Sequence, residues 1–210
     1  MTGTAASIRE APSNFHQIRC RWERSPGFGK IAAPRTEKYV PQSYIVRTMR
    51  PADVEAVLRV QAAVYPASLL ESAALFQNRI EISPATCQVA LDGQDLIGYL
   101  IAYPWDAGLP PALDRSLDHL PGAADTWFVH DCAVLPAAQG GGVAAALLAG
   151  GRAQARRLGL RRASLVALAP AVGYWLRHGY QPLADSDALR AKLAGYGDGA
   201  RYMVRADLAG

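Results

Sequence analysis

The sequence predicts one α/β domain with a mixed sheet and helices on both faces of that sheet. Half of the 210 residues are hydrophobic, and a chain of this length and composition can bury a sizeable core. From residue 43 onward, segments with the apolar spacing of strands and of helices follow in the order β-α-α-β-β-β-α-β-α-β-β. Residues 1–40 are rich in Pro, Gly, Ser and Arg without a sustained period, which predicts a weakly ordered extension before a domain at 41–210.

The first third of the domain predicts a strand and two helices. Tyr44-Ile45-Val46 is a short strand, and Pro51 stands where the first turn of a helix tolerates proline. Apolar residues then continue at helical spacing as far as Val64. Ser68-Leu69-Leu70-Glu71 is a capping-box sequence, so a second helix is expected to begin there and to run to about Arg79.

The middle of the domain predicts two strands and a long loop. The strands are Cys87–Leu91 and Leu96–Tyr103, joined at Asp92-Gly93 in a manner typical of a hairpin. A polar, Pro-rich loop extends from Trp105 to Ala124.

The last third predicts a central strand, a long helix and several shorter elements. The strand Trp127–Val134 is strongly apolar except at His130 and Asp131, and a glycine-rich turn then leads into a helix that ends near Leu158. The remaining elements are a strand at Ala163–Leu168, a helix at Ala171–His178, a strand stub at Gln181–Leu183 and a strand at Arg201–Ala206.

The distribution of charge argues against a nucleic-acid partner. Residues 1–38 hold seven basic and three acidic side chains, which accounts for the whole net charge of +4, whereas the remaining chain holds 15 of each. A neutral body lacks the electrostatic footprint of a nucleic-acid binder. No apolar run approaches the roughly 18 residues of a membrane span, so no membrane partner is expected either.

The three cysteines, Cys20, Cys87 and Cys132, are far apart and odd in number. This pattern argues against a disulfide framework and against a metal site, and it favours a reducing, cytoplasmic location.

The glycine-rich turn after the central strand is the most informative segment. Backbone N–H groups at the start of a helix can bind phosphate oxygens, and glycines let a diphosphate approach closely. A P-loop is excluded because no lysine follows the glycines, and a Rossmann turn lacks the acidic residue expected about 20 positions later. A simple flexible turn is the remaining structural alternative.

The segment Gln139-Gly140-Gly141-Gly142-Val143-Ala144 resembles the Q/R-x-x-G-x-G/A loop of the GNAT superfamily of N-acetyltransferases. The segment Ala171–Tyr180 resembles that family's late A-x-x-x-Y-x-x-x-G-F block, and residues 43–206 follow its order of elements. The resemblance implies a GNAT-like, mostly antiparallel central sheet whose fourth and fifth strands splay apart to admit acetyl-CoA.

The resemblance also implies the residues that bind the cofactor. Cys132, Ala133 and Val134 would contact the acetyl and pantetheine groups, and the N–H groups from Gln139 to Ala144 (Gly140, Gly141, Gly142 and Val143 between them) would bind the diphosphate. Trp175 stands where the family usually has its acidic tyrosine, so it would pack on pantetheine and leave the general acid unassigned. Tyr174 is adjacent in sequence but points about 100° away on a helix.

His130 and Asp131 are the candidate catalytic residues, as a base or proton relay for an ammonium substrate. Strict alternation along a strand would place His130 with Phe128 and Cys132, and Asp131 on the opposite face with Val129 and Ala133. The structural alternative is a buried polar pair that fixes loops.

Tyr65, Glu71 and Trp105 are the candidate substrate-binding residues, because an aromatic wall with one carboxylate suits a cationic amine. Capping of the second helix is the competing role for Glu71, and ordinary packing is the competing role for the two aromatic residues.

The function expected from these features is acetyl transfer from acetyl-CoA to the amine of a small molecule by direct attack in a ternary complex. An acyl-CoA-binding sensor without turnover is the alternative, and a protein-lysine acetyltransferase is a variant of the first class. Many members of the family dimerise, so the resemblance also allows a homodimer.

Overall fold

The computed structural model describes residues 43–65, 67, 70–111 and 115–208. The extension predicted for residues 1–40 lies outside the described residues, as do Ser68 and Leu69. None of the helices in the described part of the chain is long and apolar enough to cross a membrane.

The described strands form one seven-stranded sheet in the order β1-β2-β3-β4-β5-β7-β6. All neighbouring pairs are antiparallel except β4 and β5, which run parallel. The strands are β1 (Ile45–Thr48), β2 (Gln88–Asp92), β3 (Asp95–Trp105), β4 (Thr126–Val134), β5 (Arg162–Ala167), β6 (Gln181–Pro182) and β7 (Arg201–Arg205). The predicted mixed, mostly antiparallel sheet is therefore confirmed.

Helices cover both faces of the sheet, as predicted, and each face has its own apolar core. One core receives α1, α2 and α5, and the other receives α3 and α4. The helices are α1 (Val54–Val64), α2 (Ala73–Ile82), α3 (Val143–Arg157), α4 (Val172–Arg177) and α5 (Asp187–Leu193). Burying an apolar stripe of each helix against the sheet supplies the main driving force for this layered arrangement.

Helix α5 is an element that the sequence pattern did not predict. It is only seven residues long, and Ser186 caps it by accepting a hydrogen bond from the N–H of Leu189. Leu189 and Leu193 are its buried residues, and two apolar positions are too few to establish a helical period.

The second helix begins later than its capping-box sequence predicted. Ser72 is the N-cap, and its hydroxyl accepts a hydrogen bond from the N–H of Leu75. Glu71 therefore precedes the cap, so its predicted alternative role as the capping acid is wrong.

Strands β4 and β5 separate after a short paired segment. Their ladder runs from Thr126 paired with Arg162 to Val129 paired with Leu165, and both strands continue beyond it. The predicted splay is confirmed. It leaves the edge of β4 from His130 onward without a β5 partner, as an added strand or an extended ligand would require.

A β-bulge at His130 changes which residues of β4 share a face. Ile101 pairs with Asp131, and the next residue of β3, Ala102, pairs with Val129. His130 therefore has no partner in β3 and is the extra residue of the bulge. A bulge interrupts the alternation of side chains. His130 and Asp131 consequently contact side chains on the same face of the sheet, and the prediction that they occupy opposite faces is wrong.

At Gly151, α3 packs directly on buried side chains of the sheet. A Cβ atom there would lie 2.6 Å from Leu100 Cδ2 and 2.7 Å from Trp127 Cζ2, and both side chains are buried. Gly151→Ala is therefore expected to lower the free energy of unfolding by about 1–3 kcal/mol through overpacking, as measured by chemical denaturation.

The neighbouring Gly150 supplies a matched control on the same helix. A Cβ atom at Gly150 would lie 3.2 Å from Val46 Cγ1 and 3.3 Å from Gln88 Oε1, so its neighbours need to move far less. Gly150→Ala also gains helix propensity, and we expect it to be close to neutral. Equal stability of the two variants would contradict the packing described for α3.

Candidate active site

The opening between β4 and β5 forms a cleft with one titratable side chain among its described lining residues, His130. The other described lining residues are Val129, residues 165–168 of β5 and the turn after it, Ala171 and Trp175. His130 is buried and lies at the point where the two strands stop pairing. A proton donor or acceptor is thereby placed in an apolar slot.

His130 is held between a carboxylate and a phenol. Its Nε2 lies 3.2 Å from Glu71 Oε1, and its Nδ1 lies 3.3 Å from the hydroxyl oxygen of Tyr103. With Glu71 ionised, a neutral imidazole carries its proton on Nε2 and accepts the Tyr103 hydroxyl at Nδ1. Protonation of Nδ1 would turn Tyr103 into an acceptor, so the ring can gain a proton without losing either contact.

Glu71 is positioned by Gln61, a buried polar residue of α1. The Gln61 side chain donates to the Glu71 carbonyl at 3.1 Å and accepts from the Glu71 N–H at 2.5 Å. This pair of bonds fixes the segment between α1 and α2 over the sheet. The Glu71 side chain is 14% exposed and that of His130 is 7% exposed, so the carboxylate is the more accessible partner.

Asp131 forms a second polar group on the same face. Its Oδ1 accepts a hydrogen bond from Tyr65 at 2.7 Å, and its Oδ2 accepts one from Tyr99 at 2.6 Å. Burial raises the pKa of the Asp131 carboxyl above its ordinary value, although the two phenol donors act in the opposite direction. Burial likewise raises the pKa of Tyr99, and the adjacent Asp131 carboxylate adds to that effect.

The loop before α3 forms a second cleft of about 230 Å³. Gly140 and Gly142 have φ angles of +87° and +79°, which other residues rarely adopt. The Gln139 side chain donates to the Val134 carbonyl at 3.1 Å and ties the loop to the end of β4. The loop and the first turn of α3 line this cleft, and the N–H groups at the start of a helix suit an anion. The N–H groups of Gln139 and Gly141 already donate to the carbonyls of Pro136 and Ala138.

Trp175 and Tyr174 face different clefts, as expected for adjacent helical residues. Trp175 is buried and lines the opening between β4 and β5, and its ring packs on that of Tyr180 with centroids 5.1 Å apart. Tyr174 lines the cleft beside the loop before α3 and stacks on His178 with centroids 4.0 Å apart. Among the described residues that line the opening, none carries a phenol.

The three predicted substrate-binding residues lie on the face that carries His130, with distinct contacts. Tyr65 bonds Asp131, and Glu71 bonds His130. Trp105 packs on Tyr103 with ring centroids 6.1 Å apart, and its Nε1 donates to the Leu109 carbonyl at 3.1 Å.

Tyr99, Tyr103 and Gln61 were not predicted as site residues. Tyr99 and Tyr103 are four positions apart on β3, so they share a face. Two tyrosines at this spacing, next to the strand that carries His130 and Asp131, are the signal that could have identified them. A buried glutamine on the apolar stripe of α1 is the corresponding signal for Gln61.

Comparison with known proteins gives a consistent family assignment. The Acetyltransferase (GNAT) family model matches residues 54–180, which is more than half of the chain. No curated protein sequence matches the sequence of this chain significantly.

Several solved structures share the fold at low sequence identity. The GphF GNAT-like decarboxylase in complex with isobutyryl-CoA is 22% identical, covers 78% of this chain and 99% of its own, and has a TM-score of 0.64. The loading GNATL domain of CurA from Lyngbya majuscula is 12% identical over 80% of this chain and 98% of its own, with a TM-score of 0.65. PaiA N-acetyltransferase from Thermoplasma acidophilum, in complex with coenzyme A, is 13% identical, covers 79% of this chain and 99% of its own, and has a TM-score of 0.55.

The raised pKa of Asp131 predicts a specific pH dependence of stability. A carboxyl that is harder to ionise in the folded than in the unfolded protein destabilises the fold once it is ionised. The wild type should therefore lose stability relative to Asp131→Asn as the pH rises from about 4 through the raised folded pKa.

Denaturation midpoints of the two proteins across this pH range measure the effect. Asparagine keeps an oxygen acceptor for one phenol, so the comparison isolates the ionisation. A wild type that gains stability over the variant with rising pH would mean that the phenol donors outweigh burial.

Proposed function

The chain belongs to the GNAT acetyltransferase family, and on that premise we propose that it transfers an acetyl group from acetyl-CoA to the amine of a small molecule. The attack is direct, within a ternary complex. The observation that carries the proposal is the position of His130, the one titratable side chain among the described residues lining the opening between β4 and β5.

Acetyl-CoA would bind along the two clefts. Pantetheine would lie beside β4, where Cys132, Ala133 and Val134 continue past the last β5 pair, and Trp175 would pack against it. The diphosphate would bind the loop from Gln139 to Ala144, of which Gln139, Gly140, Gly142, Val143 and Ala144 line the second cleft, whereas Gly141 is not among the lining residues. The glycines place no side chain between the ligand and the backbone. A free N–H of β4 would polarise the thioester carbonyl as negative charge develops on its oxygen.

The amine would bind on the α1–α2 side of the sheet, where Glu71 is the more accessible member of its pair with His130. Its carboxylate would attract an ammonium group, and the aromatic rings of Tyr65 and Trp105 would form the wall of the site. Asp131 would add a second negative charge when ionised and would orient Tyr65 in either state. These features favour a small cationic or amphipathic amine.

His130 would act first as the base and then as the acid. It takes a proton from the ammonium, directly or through water, and the neutral amine attacks the thioester carbonyl carbon. A carbon–nitrogen bond forms, the carbon–sulfur bond breaks, and the thiolate leaves. The imidazolium then returns a proton to the sulfur, a role that the indole of Trp175 cannot perform, and the nitrogen of the new amide releases its second proton to water.

The proposed role of His130 predicts a specific loss of turnover. His130→Ala should lower kcat by about 100-fold with little change in acetyl-CoA affinity, because it removes proton transfer and leaves the diphosphate loop intact. Release of the CoA thiol with a panel of amines measures turnover, and calorimetry measures the affinity.

His119→Ala is the matched control, because His119 is an exposed loop histidine. An unchanged kcat and pH profile in His130→Ala would contradict the proposed base. Absence of acetyl-CoA consumption with every amine, despite tight binding, would instead favour the sensor without turnover.

The diphosphate loop gives an independent prediction. Gly142→Glu should abolish measurable acetyl-CoA binding, because it adds a negative charge at the diphosphate cleft and strains a backbone with φ of +79°. Gly93→Glu is the matched control, since Gly93 also has positive φ but lies in the β2–β3 hairpin. Retained binding in Gly142→Glu would mean that the diphosphate binds elsewhere.

Decarboxylation of a carboxyacyl-CoA is a second candidate, favoured by the buried guanidinium of Arg79. Arg79 is 1% exposed, and its guanidinium carbon lies 5.3 Å from the ring centroid of Tyr103. Its two terminal nitrogens donate to Asn78 Oδ1 and to the Arg115 carbonyl, whereas its Nε has no hydrogen-bond partner and no carboxylate pairs with it among the described residues. A donor carboxylate would balance this charge. Carbon dioxide would leave, its bonding electrons would enter the thioester enolate, and His130 would protonate the α-carbon.

Incubation with malonyl-CoA in the absence of any amine separates the two reactions. Conversion to acetyl-CoA and carbon dioxide would establish the second candidate. Unchanged malonyl-CoA, with acetyl-CoA consumed only when an amine is added, would leave acetyl transfer as the function.

A further inference from the structure

Arg152 lies on the face of α3 that leads to the diphosphate cleft. Ala145 and Arg152 are seven residues apart, which is two helical turns and about 10 Å along the axis, so they lie on nearly the same face. Ala145 lines the cleft. Side chains on a helix lean toward its N-terminus, so the Arg152 guanidinium extends from its backbone toward that cleft.

The end of α4 connects the same cleft to Arg205 of β7. His178 lines the cleft, and its Nδ1 lies 2.9 Å from the Tyr174 carbonyl, which fixes the ring in the stack with Tyr174. The carbonyl of His178 accepts a hydrogen bond from Arg205 Nη1 at 3.1 Å. Arg205 is thus hydrogen-bonded to a residue that lines the cleft, and it lies near enough to Arg152 for the two charges to interact.

The charge of Arg152 is not balanced locally. Burial lowers the pKa of Arg152, and the neighbouring charges of Arg205 and Arg156 lower it further. No ion pair of Arg152 occurs among the described residues, whereas the Arg205 Nε donates to the Asp207 carbonyl. Like charges that lie this close to one another cost free energy, and an anionic ligand would recover it.

We infer that Arg152, together with Arg205 and His178 (the rim cluster), forms a second anion subsite that binds the 3′-phosphate of coenzyme A. The inference rests on the proposed function, because it assumes that the diphosphate occupies the cleft beside the loop before α3. The 3′-phosphate is attached to the ribose next to the diphosphate and carries up to two negative charges. His178 lines the diphosphate cleft, Arg205 is bonded to its carbonyl and Arg152 extends toward the same cleft, so the two arginines supply the matching charge.

Binding of CoA and of dephospho-CoA, which lacks only the 3′-phosphate, tests the subsite by calorimetry. The wild type should bind CoA at least about tenfold more tightly, as expected for one charge-assisted hydrogen-bonded contact. Arg152→Gln should lose most of this preference by weakening CoA binding while leaving dephospho-CoA binding unchanged. Arg152→Lys should restore part of it, because the charge returns.

Arg157→Gln is the matched control on the same helix, where Arg157 is exposed and its Nη1 donates to Gln154 Oε1 at 3.3 Å. It should leave the CoA preference as in the wild type. Equal affinity of the wild type for both ligands, or equal weakening of both by Arg152→Gln, would overturn the subsite and leave the proposed function standing. Failure of the wild type to bind either ligand would overturn both.

Discussion

The extra residue in β4 is the feature on which the rest of the site depends. Regular pairing would place His130 and Asp131 on opposite faces, one against each helical layer. The bulge instead directs both side chains toward α1 and α2. The pairing of β4 with β5 ends at Val129, the residue before the bulge. One local irregularity thus accompanies both the opening between β4 and β5 and the polar groups beside it. Bulges often occur where a strand has to redirect a functional side chain.

Burying these polar groups is tolerable because each is paired. His130 has a carboxylate on one nitrogen and a phenol on the other, and Asp131 has a phenol on each oxygen. A buried charge without partners costs several kcal/mol, whereas paired groups can keep a defined geometry. The same pairing orders the layers, because the partners come from β3 and from the segment after α1. The polar network therefore connects the position of the covering helices to His130, the titratable residue among the described residues that line the opening.

The sequence predicted the order of elements through α4, because that order depends on apolar spacing, and the resemblance of the glycine-rich turn to the GNAT loop implied the splay of β4 and β5. It did not predict α5, which has only two buried apolar positions, or the start of α2, where Ser72 and not Ser68 caps the helix. It also could not reveal the bulge, because pairing register depends on the partner strand. Glu71 shows the same limit, since its contact with His130 joins residues 59 positions apart.

The most direct test of this account is the shift in melting temperature of the wild-type protein with acetyl-CoA, compared with NAD, NADP and ATP. A ligand that binds only the folded protein at 100 times its Kd adds about 2.7 kcal/mol, which is a readily visible shift in a domain of this size. We expect a shift of several degrees with acetyl-CoA and none with the other nucleotides. No shift with acetyl-CoA, or a shift with NAD instead, would contradict the assignment of the two clefts to an acyl-CoA.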